Sequence, residues 1–273
     1  MKKSLYLLLI CVLLIPMVTT SALSLNGVRI YIDGEVMEFP VPARIINAAT
    51  YVPVRTIFEY LNGEVCWNAA TKTAIIDIDG IEVSITEGMN YVIANGRYLF
   101  INDGVKNIDG ALMIHVRTVA KIIGAKVEWN EESRSVRLCK TGKTIKSGEE
   151  YYNKDEVYWL SKIISSESAG EPLKGQIAVG NVVLNRMTSK EFPDSIYDVI
   201  FDTIYGVQFE PVLNGTIYDN ATESSVIAAK LCLDGADVAE DSLYFFNPSL
   251  AQSFWIERNR SFRMTIENHK FFA

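Results

Sequence analysis

The sequence predicts an α+β protein of two unlike domains, a duplicated β-rich half followed by a mainly helical half. Three observations lead to this prediction. The first half contains an internal repeat, in which Arg55 and Arg117 are equivalent and lie 117 − 55 = 62 positions apart. The second half contains segments with helical periodicity. Between the halves, residues 140–154 carry few large apolar side chains, which is typical of a linker.

Composition excludes several classes of protein. With 273 residues, 49% of them hydrophobic and 11% aromatic, the chain is expected to form packed globular domains and not to be disordered. The formal net charge is -7 and there is no long basic run, which argues against nucleic acid as a partner. An acidic protein is also not held to an anionic cell wall by bulk charge, so wall binding requires specific contacts.

The first 22 residues have the features of a secretion signal. Lys2 and Lys3 precede an apolar run from 5 to 18, and the small residues at 20–22 offer a cleavage site after Ala22. The run is too short to predict a membrane-spanning helix. We therefore expect export, with residues 1–22 removed and no stable membrane insertion afterwards. An uncleaved N-terminal anchor is the alternative.

Outside this signal three cysteines remain, Cys66, Cys139 and Cys232. They are sparse and odd in number, and they contain no CxxC pair. They therefore predict neither a disulfide framework nor a zinc site. The sequence implies no metal and no other cofactor.

The repeat predicts the same order of elements in each copy: a hairpin, a loop, a short helix and a second hairpin. The aligned motifs are Asp33-Gly34 with Asn95-Gly96, Val54-Arg55-Thr56 with Val116-Arg117-Thr118, and Trp67-Asn68 with Trp129-Asn130. Asp-Gly and Asn-Gly are typical of two-residue hairpin turns. The helices are expected to end at Asn62-Gly63 and at Gly124. Two such copies can bury each other's apolar faces.

The first copy also carries a family resemblance. The segment 51–55 (Tyr-Val-Pro-Val-Arg), followed by Gly63-x-Val65-x-Trp67-Asn68, resembles the stalk domain named after the N-terminus of copper amine oxidases. The resemblance covers about residues 25–140 and implies a spacer that binds the wall or a protein partner. It implies no copper here, because this half has a single histidine, His115, and no set of copper ligands. We expect Arg55 and Arg117 to be structural, with binding of an anionic partner as the alternative.

In the second half, one acidic residue continues an apolar helical face. Asp155 is predicted to cap a helix. In this helix, Val157, Leu160, Ile164 and Glu167 are spaced by three, four and three positions, so they lie on one face. A carboxylate on such a face is desolvated, which raises its pKa toward that of a general acid active near neutral pH. From the spacing alone, it is equally possible that Glu167 is a partly exposed glutamate at a helix end.

The residues that follow Glu167 carry a second resemblance. Residues 167–186 contain the pattern Glu-Ser-Ala-Gly-Glu-Pro-x-x-Gly-Gln-x-Ala-Val-Gly-x-Val-Val-Leu-Asn-Arg, and further motifs follow at 192–193, 208–215, 243–248 and 268–271. Together they resemble the cell wall hydrolase family of the spore cortex-lytic enzyme SleB, over about residues 152–273. Two positions depart from the family pattern: Glu210, where a small polar residue is common, and Glu267, where glycine is common.

This resemblance implies a lysozyme-like, mainly helical fold with a small β element, and action on peptidoglycan glycan strands as a lytic transglycosylase. The resemblance implies that Glu167 is the catalytic acid. Ordinary glycosidases need two carboxylates, whereas closure of a 1,6-anhydro ring by the muramyl 6-hydroxyl removes the need for the second. The resemblance places the protein outside the cell, in the wall or the spore envelope. It leaves open whether the substrate is spore cortex, degraded during germination, or the vegetative wall.

Six residues are predicted to bind substrate beside the acid. They are Gln176, Gln208, Phe209, Tyr244, Asn247 and His269. Aromatic rings stack on sugar rings, and amide or imidazole groups hydrogen-bond acetamido groups. Core packing of the aromatic residues and a structural role for the histidine are the alternatives. Glu171 is expected to cap the next helix, through its place at the helix N-terminus.

Other functions stay open. A zinc-dependent N-acetylmuramoyl-L-alanine amidase needs several metal ligands, and this half contains one histidine. A cysteine hydrolase would pair Cys232 with His269, although a packed thiol is the simpler interpretation of Cys232. The non-enzymatic alternative is a wall-binding protein with an inactive hydrolase domain, and the intact motif at Glu167 argues against it.

Overall fold

The computed structural model of the chain describes residues 27–204, 206–251 and 253–273. The expected secretion signal, residues 1–22, lies outside the described residues. Within them, no helix is both long enough and apolar enough to cross a membrane. A β-rich first half with two short helices is followed by a second half of helices and one small sheet. The protein is therefore of the α+β class, as predicted.

The first half contains the same seven elements twice. The first copy consists of β1 (Arg29–Ile32), β2 (Glu35–Val36), β3 (Arg44–Ile46), β4 (Ala49–Pro53), α1 (Val54–Tyr60), β5 (Glu64–Asn68) and β6 (Thr73–Ile78). Strand β7 (Ile81–Thr86) then connects the copies. The second copy consists of β8 (Tyr91–Ala94), β9 (Arg97–Phe100), β10 (Lys106–Ile108), β11 (Ala111–His115), α2 (Val116–Ile123), β12 (Ala125–Asn130) and β13 (Ser135–Lys140). The elements recur at the offset of the sequence repeat.

The tight turn of the first hairpin in each copy has the geometry that its sequence predicts. Asp33 and Gly34 have φ values of 50° and 92°, and Asn95 and Gly96 have φ values of 50° and 76°. Two successive positive φ angles are characteristic of a type I′ turn, which Asp-Gly and Asn-Gly pairs adopt readily. Helix α2 likewise ends at Gly124, whose φ is 63°.

The two copies are interwoven, because each outer sheet combines strands of both. One outer sheet has the order β12-β13-β1-β2, and the other has the order β5-β6-β7-β8-β9. The middle sheet, β10-β11-β4-β3, joins the copies where Ile114 pairs with Val52. A single apolar core contains buried residues of both copies, including Ile57 of α1 and Ile122 of α2. Each copy therefore completes the core of the other.

The second half combines helices with one small sheet. Its helices are α3 (Gly148–Tyr151), α4 (Lys154–Ser168), α5 (Leu173–Thr188), α6 (Ile196–Ile200), α7 (Glu210–Asn214), a 3-10 turn (Thr216–Tyr218), α8 (Glu223–Leu233) and α9 (Trp255–Asn259). Strands β14 (Tyr244–Phe246), β15 (Phe262–Ile266) and β16 (His269–Phe272) form a sheet in the order β14-β16-β15. Asn153, and not Asp155 as predicted, caps α4, because its side chain accepts hydrogen bonds from two N–H groups of the first turn.

Part of the segment predicted as an interdomain linker, residues 140–154, is packed against the first half. Ile145 is buried in the core of that half, and its carbonyl accepts a hydrogen bond from Asn95 Nδ2 at 3.0 Å. The N–H of Gly148 donates to Asn95 O at 2.7 Å. A Cβ at Gly148 would lie 2.4 Å from the carbonyl oxygen of Gly96, so this close approach requires glycine. These contacts attach the segment to the first half.

The two halves meet at a buried carboxylate. Asp234, directly after α8, accepts hydrogen bonds from Arg97 Nε at 3.0 Å and from Arg97 Nη2 at 2.6 Å. Lys121 Nζ donates to Asp234 Oδ1 at 2.6 Å, and the hydroxyl of Tyr152 donates to Oδ2 at 2.8 Å. Burial alone would raise the pKa of Asp234, but the hydrogen bonds from Arg97 and Lys121 outweigh it and hold the pKa below its ordinary value. Aromatic side chains of β8 and β9 also pack against the core of the second half.

Candidate active site

Helix α4 places one carboxylate at the wall of an open cavity. Leu160 and Ile164 lie on the buried face of α4 and are fully buried, while Glu167, in the last turn, is half-buried. Glu167 lines a cavity of about 460 Å³, which is bounded by α4, α5, the start of α7 and the small sheet. The apolar stripe of α4 therefore ends in a carboxylate that a ligand in the cavity can reach.

The surroundings of Glu167 favour its protonated form. The pKa of Glu167 is raised to about 7. Burial is the largest cause of this rise, and the neighbouring carboxylate of Glu210 is the second. The guanidinium of Arg186 acts in the opposite direction and limits this rise. Glu210 begins α7 and is exposed, so water stabilises its charge. Both protonation states of Glu167 are therefore accessible near neutral pH, which suits a group that donates a proton and later accepts one.

Arg186, on α5, was not among the predicted site residues. It is 5% exposed, and its Nε donates to the carbonyl of Leu243 at 2.8 Å. Its guanidinium carbon lies 5.0 Å from the centroid of the Phe209 ring and 5.4 Å from that of Tyr244. Burial lowers the pKa of Arg186 to about 10, so the residue keeps its charge at neutral pH. The one sequence signal for Arg186 is its place at the end of the motif that begins with Glu167.

Five of the six predicted substrate-binding residues line the same cavity as Glu167. They are Gln208, Phe209, Tyr244, Asn247 and His269. Glu210 and Trp255 line it as well, and the Trp255 side chain is exposed. The cavity thus brings together an acid with a raised pKa, several aromatic rings and two side-chain amides, although these residues are far apart along the chain.

Residues 170–272 match the family described as Cell Wall Hydrolase. This match lies in the C-terminal half of the chain. Residues 31–146 match the Copper amine oxidase N-terminal domain, so both resemblances predicted from the motifs are confirmed. We call these two regions the hydrolase domain and the stalk. The hydrolase match begins at Gly170, three residues after Glu167.

Named relatives match 105 residues of the chain. The spore cortex-lytic enzyme of Bacillus subtilis (strain 168) is 36% identical over 105 residues, which is 38% of this chain and 33% of that protein. The spore cortex-lytic enzyme of Bacillus cereus (strain ATCC 14579) is 37% identical over 105 residues, or 39% of that protein. The solved catalytic domain of the germination-specific lytic transglycosylase SleB from Bacillus anthracis is 35% identical, with a TM-score of 0.41. The matched region is 45% of this chain and 97% of that structure. The chain therefore spans 33% to 39% of the length of these two curated relatives.

Gln176 is the predicted binding residue of the hydrolase domain that lies outside the cavity. Its side chain is buried on α5, where Nε2 donates to the carbonyl of Glu171 at 2.9 Å and to Ser224 Oγ at 3.2 Å. Its Oε1 accepts a hydrogen bond from Ser225 Oγ at 3.0 Å. These bonds use the amide to join α5 to α8, and a substrate contact by Gln176 stays a prediction.

Glu171 does not cap the next helix as predicted. Helix α5 follows Pro172 without a side-chain cap. Glu171 Oε1 instead accepts a hydrogen bond from Asn268 Nδ2 at 2.8 Å and lies 3.7 Å from His269 Nδ1. Burial lowers the pKa of His269 below its ordinary value, although the charge of Glu171 opposes this shift. Glu171 therefore holds the turn before β16 against the start of α5, and His269 is neutral at neutral pH.

Cys232 of the hydrolase domain is a packed thiol. It is buried on α8, and its Sγ donates to the carbonyl of Ile177 at 3.4 Å. Burial raises the pKa of this thiol far above its ordinary range, which opposes formation of a nucleophilic thiolate. In the part of the chain that the structure describes, no three His, Cys, Asp or Glu side chains are grouped so that they could hold a metal ion.

Proposed function

We propose that the hydrolase domain cleaves the glycan strand of peptidoglycan as a lytic transglycosylase, with Glu167 as its catalytic acid and base. One observation carries the proposal: a half-buried carboxyl group with a pKa raised to about 7 lies in a cavity lined by aromatic rings and amides. A carboxyl group that is protonated near neutral pH can act as a general acid. Rings and amides complement a polymer of N-acetylated sugars. The names of the two curated relatives agree with this activity.

The reaction requires two proton transfers at one carboxyl group. Glu167 donates its proton to the oxygen that links the anomeric carbon of N-acetylmuramic acid to N-acetylglucosamine, and the bond from that carbon to the oxygen breaks. The Glu167 carboxylate then accepts the proton of the 6-hydroxyl of the same muramic acid, whose oxygen bonds to the anomeric carbon and closes a 1,6-anhydro ring. Glu167 ends in its protonated form and no water is consumed, so a second carboxylate is not needed.

Burial raises the pKa of Glu167 most, and the charges of Glu210 and Arg186 adjust the balance between its two protonation states. The charge of Arg186 stabilises the carboxylate that forms after the first transfer, and the charge of Glu210 favours its return to the acid. Because the two effects oppose each other, neither protonation state is far lower in free energy at neutral pH. Both proton transfers then proceed without a large mismatch in pKa.

The rings and amides at the cavity wall are assigned to the sugars. We infer that Tyr244 and Trp255 stack on sugar rings and that Gln208 and Asn247 hydrogen-bond acetamido groups. Arg260 supports both rings, since its guanidinium carbon lies 4.4 Å from the Tyr244 centroid and 5.5 Å from the Trp255 centroid. Phe209 and His269 are almost fully buried and contribute mainly the shape of the wall.

The proposal also covers fold and location. We infer a lysozyme-like, mainly helical hydrolase domain, and action outside the cell after loss of residues 1–22. The polymer is spore cortex peptidoglycan, degraded during germination. The relatives named as spore cortex-lytic enzymes support this choice through the hydrolase domain that they share with the chain.

Mass spectrometry of the released fragments tests the proposal. The purified chain is incubated with cortex and with vegetative peptidoglycan, with and without EDTA. Products with 1,6-anhydromuramic ends, released equally with EDTA, are the expected result. Reducing muramic ends would instead indicate hydrolysis with Glu210 as the second carboxylate. Free stem peptides beside intact glycan would indicate an amidase. If neither polymer releases a product, the protein would instead be a wall-binding protein without activity.

A further inference from the structure

The two copies of the stalk share a tryptophan and an arginine that core packing does not explain. In both copies the valine at the start of the helix is buried, and the asparagine after the tryptophan accepts hydrogen bonds within a turn. These shared residues therefore have structural roles. Trp67 and Trp129, in contrast, are 43% and 41% exposed on the edge strands β5 and β12. Arg55 and Arg117 are exposed on the helices beside them.

Each tryptophan lines a groove together with the arginine of its own copy. The first groove, of about 420 Å³, contains Arg55 and Trp67 and is closed by the β10–β11 hairpin of the second copy. The second groove, of about 200 Å³, contains Arg117 and Trp129 and is closed by the β3–β4 hairpin of the first copy. Because each groove is built from both copies, the duplication produces two equivalent grooves on one stalk.

Charge and ring orientation suit these grooves to an anionic, ring-containing ligand. No acidic side chain that the structure describes lines either groove, although the chain has a net charge of -7. Arg55 forms an exposed ion pair with Glu59, at 3.0 Å, and donates to the carbonyl of Val65 at 3.4 Å. Arg117 forms no ion pair with any residue of the described segments. The Trp129 indole N–H donates to Glu131 Oε2 at 2.5 Å, which orients a side chain that is 41% exposed.

We propose that the two grooves bind peptidoglycan glycan strands, with a sugar ring stacked on each tryptophan and a carboxylate of the attached peptide at each arginine. This inference rests on the proposed function, because the ligand is the polymer that the hydrolase domain cleaves. The apolar face of a pyranose ring packs on an indole face, and an arginine pairs with a carboxylate. Because net charge does not attract this acidic chain to an anionic wall, local sites of this kind are required. Two grooves also match a repeating polymer, since binding at one raises the effective concentration at the other.

Sedimentation with insoluble purified peptidoglycan tests the grooves in the full chain carrying Glu167→Gln, which leaves the polymer intact. The double change Trp67→Ala and Trp129→Ala is expected to weaken binding about tenfold, and each single change by less. Tyr60→Ala is the matched control, because Tyr60 is 41% exposed in the stalk and lines neither groove. Binding of the double variant with unchanged affinity would overturn the inference.

Fluorine NMR provides a test that does not depend on the folding of the alanine variants. The chain has four tryptophans, so fluorotryptophan labelling gives a simple spectrum that single Trp→Phe changes assign. A neutral N-acetylglucosamine tetramer should shift the signals of Trp67 and Trp129. The double change Arg55→Gln and Arg117→Gln should preserve these shifts and weaken binding to peptidoglycan. Unmoved Trp67 and Trp129 signals at high tetramer concentration would contradict the stacking that we propose.

Cleavage by the wild-type protein, measured on the same polymer, separates this inference from the proposed function. Fragment release together with tryptophan-independent binding would overturn the grooves and leave the enzymatic proposal intact. Tryptophan-dependent binding without any fragment release would overturn the enzymatic proposal and leave binding at the grooves intact. Release and tryptophan-dependent binding together are the expected outcome.

Discussion

Glu167 and Asp234 are both carboxylates removed from water, yet their surroundings shift their pKa values in opposite directions. Asp234 lies between the stalk and the hydrolase domain, with its side chain 1% exposed, and accepts hydrogen bonds from Arg97, Lys121 and Tyr152. Its pKa lies below the ordinary value. Glu167 forms no ion pair within the described residues, and its pKa is raised to about 7. Burial disfavours both charges, so the supply of donors decides which carboxylate joins two domains and which one holds a proton.

The two charged donors to Asp234 come from one copy of the stalk. Arg97 and Lys121 occupy, at the 62-residue offset, the positions that hold Glu35 and Glu59 in the first copy. The same scaffold thus carries opposite charges at two equivalent positions. Only the second copy complements a buried aspartate, which explains why that copy contacts the hydrolase domain. The following predictions test how far the two carboxylates differ, from the largest expected effect to the smallest.

Glu167→Gln is expected to have the largest effect. Glutamine has nearly the same shape but can neither donate the proton nor take it back, so cleavage should fall by a factor of about 100 to 10,000 for each proton transfer. The fold should survive, because the lost charge was disfavoured by burial. Fragment release and circular dichroism check the two statements.

Glu210→Gln is the control for this change. It should remain active, and the alkaline limb of its pH–rate profile should move to lower pH, because the charge that helps to raise the pKa of Glu167 is removed. Wild-type turnover by a Glu167→Gln protein of verified mass would show that another residue is the acid.

Asp234→Asn should have the largest effect on stability. It leaves the buried Arg97 without its counter-charge, a type of change that typically costs about 3 to 5 kcal/mol. We expect urea unfolding, followed by tryptophan fluorescence, to change from one transition to two as the stalk and the hydrolase domain separate. Asp241→Asn is the matched control, since it breaks the more exposed pair with Arg263 and should leave the midpoint nearly unchanged. Two transitions in the wild-type protein would instead show the independent domains that the composition of residues 140–154 predicts.

The two carboxylates should respond to pH with opposite signs. The folded-state pKa of Asp234 is lowered, so its contribution is present above its unfolded pKa and is lost as pH falls through the folded value. The folded-state pKa of Glu167 is raised, so its contribution is full below its unfolded pKa and is lost as pH rises through about 7. Activity should decline over the same alkaline range, as the acid form disappears.

Melting temperatures measured across pH check this prediction. Glu167→Gln should melt above the wild type at pH values higher than about 7, and this difference should disappear in mild acid. The deficit of Asp234→Asn should persist at neutral pH and shrink in strong acid. Parallel curves for the wild type and both variants would mean that neither Glu167 nor Asp234 has a shifted pKa in the folded protein.

The smallest effect is expected from Lys121→Met. The Lys121 side chain is 41% exposed, whereas that of Arg97 is 9% exposed and donates to both oxygens of Asp234. Water and salt screen the lysine pair, so its loss should lower the urea midpoint slightly, and Arg97→Met should lower it clearly more. The reverse order would place the main support of Asp234 on the lysine.

The sequence by itself determined the features that depend on residues close together in the chain. The hairpin turns at 33–34 and 95–96, the end of α2 at Gly124 and the stripe that carries Glu167 follow from local backbone preferences and from helical periodicity. The repeat likewise predicted which elements recur and in which order. Such features are readable because the relevant interactions lie within a few residues.

Only the tertiary structure decided which side chains meet. The motif around Glu167 does not show that the amide of Gln176 is used between two helices, or that Arg186 lies at the cavity beside Glu167. The repeat does not show that its second copy binds Asp234, which is 137 positions from Arg97. Local patterns specify periodicity and turns, whereas the partners of a buried charge are set by the packing of distant segments, and these partners decide its pKa and its role.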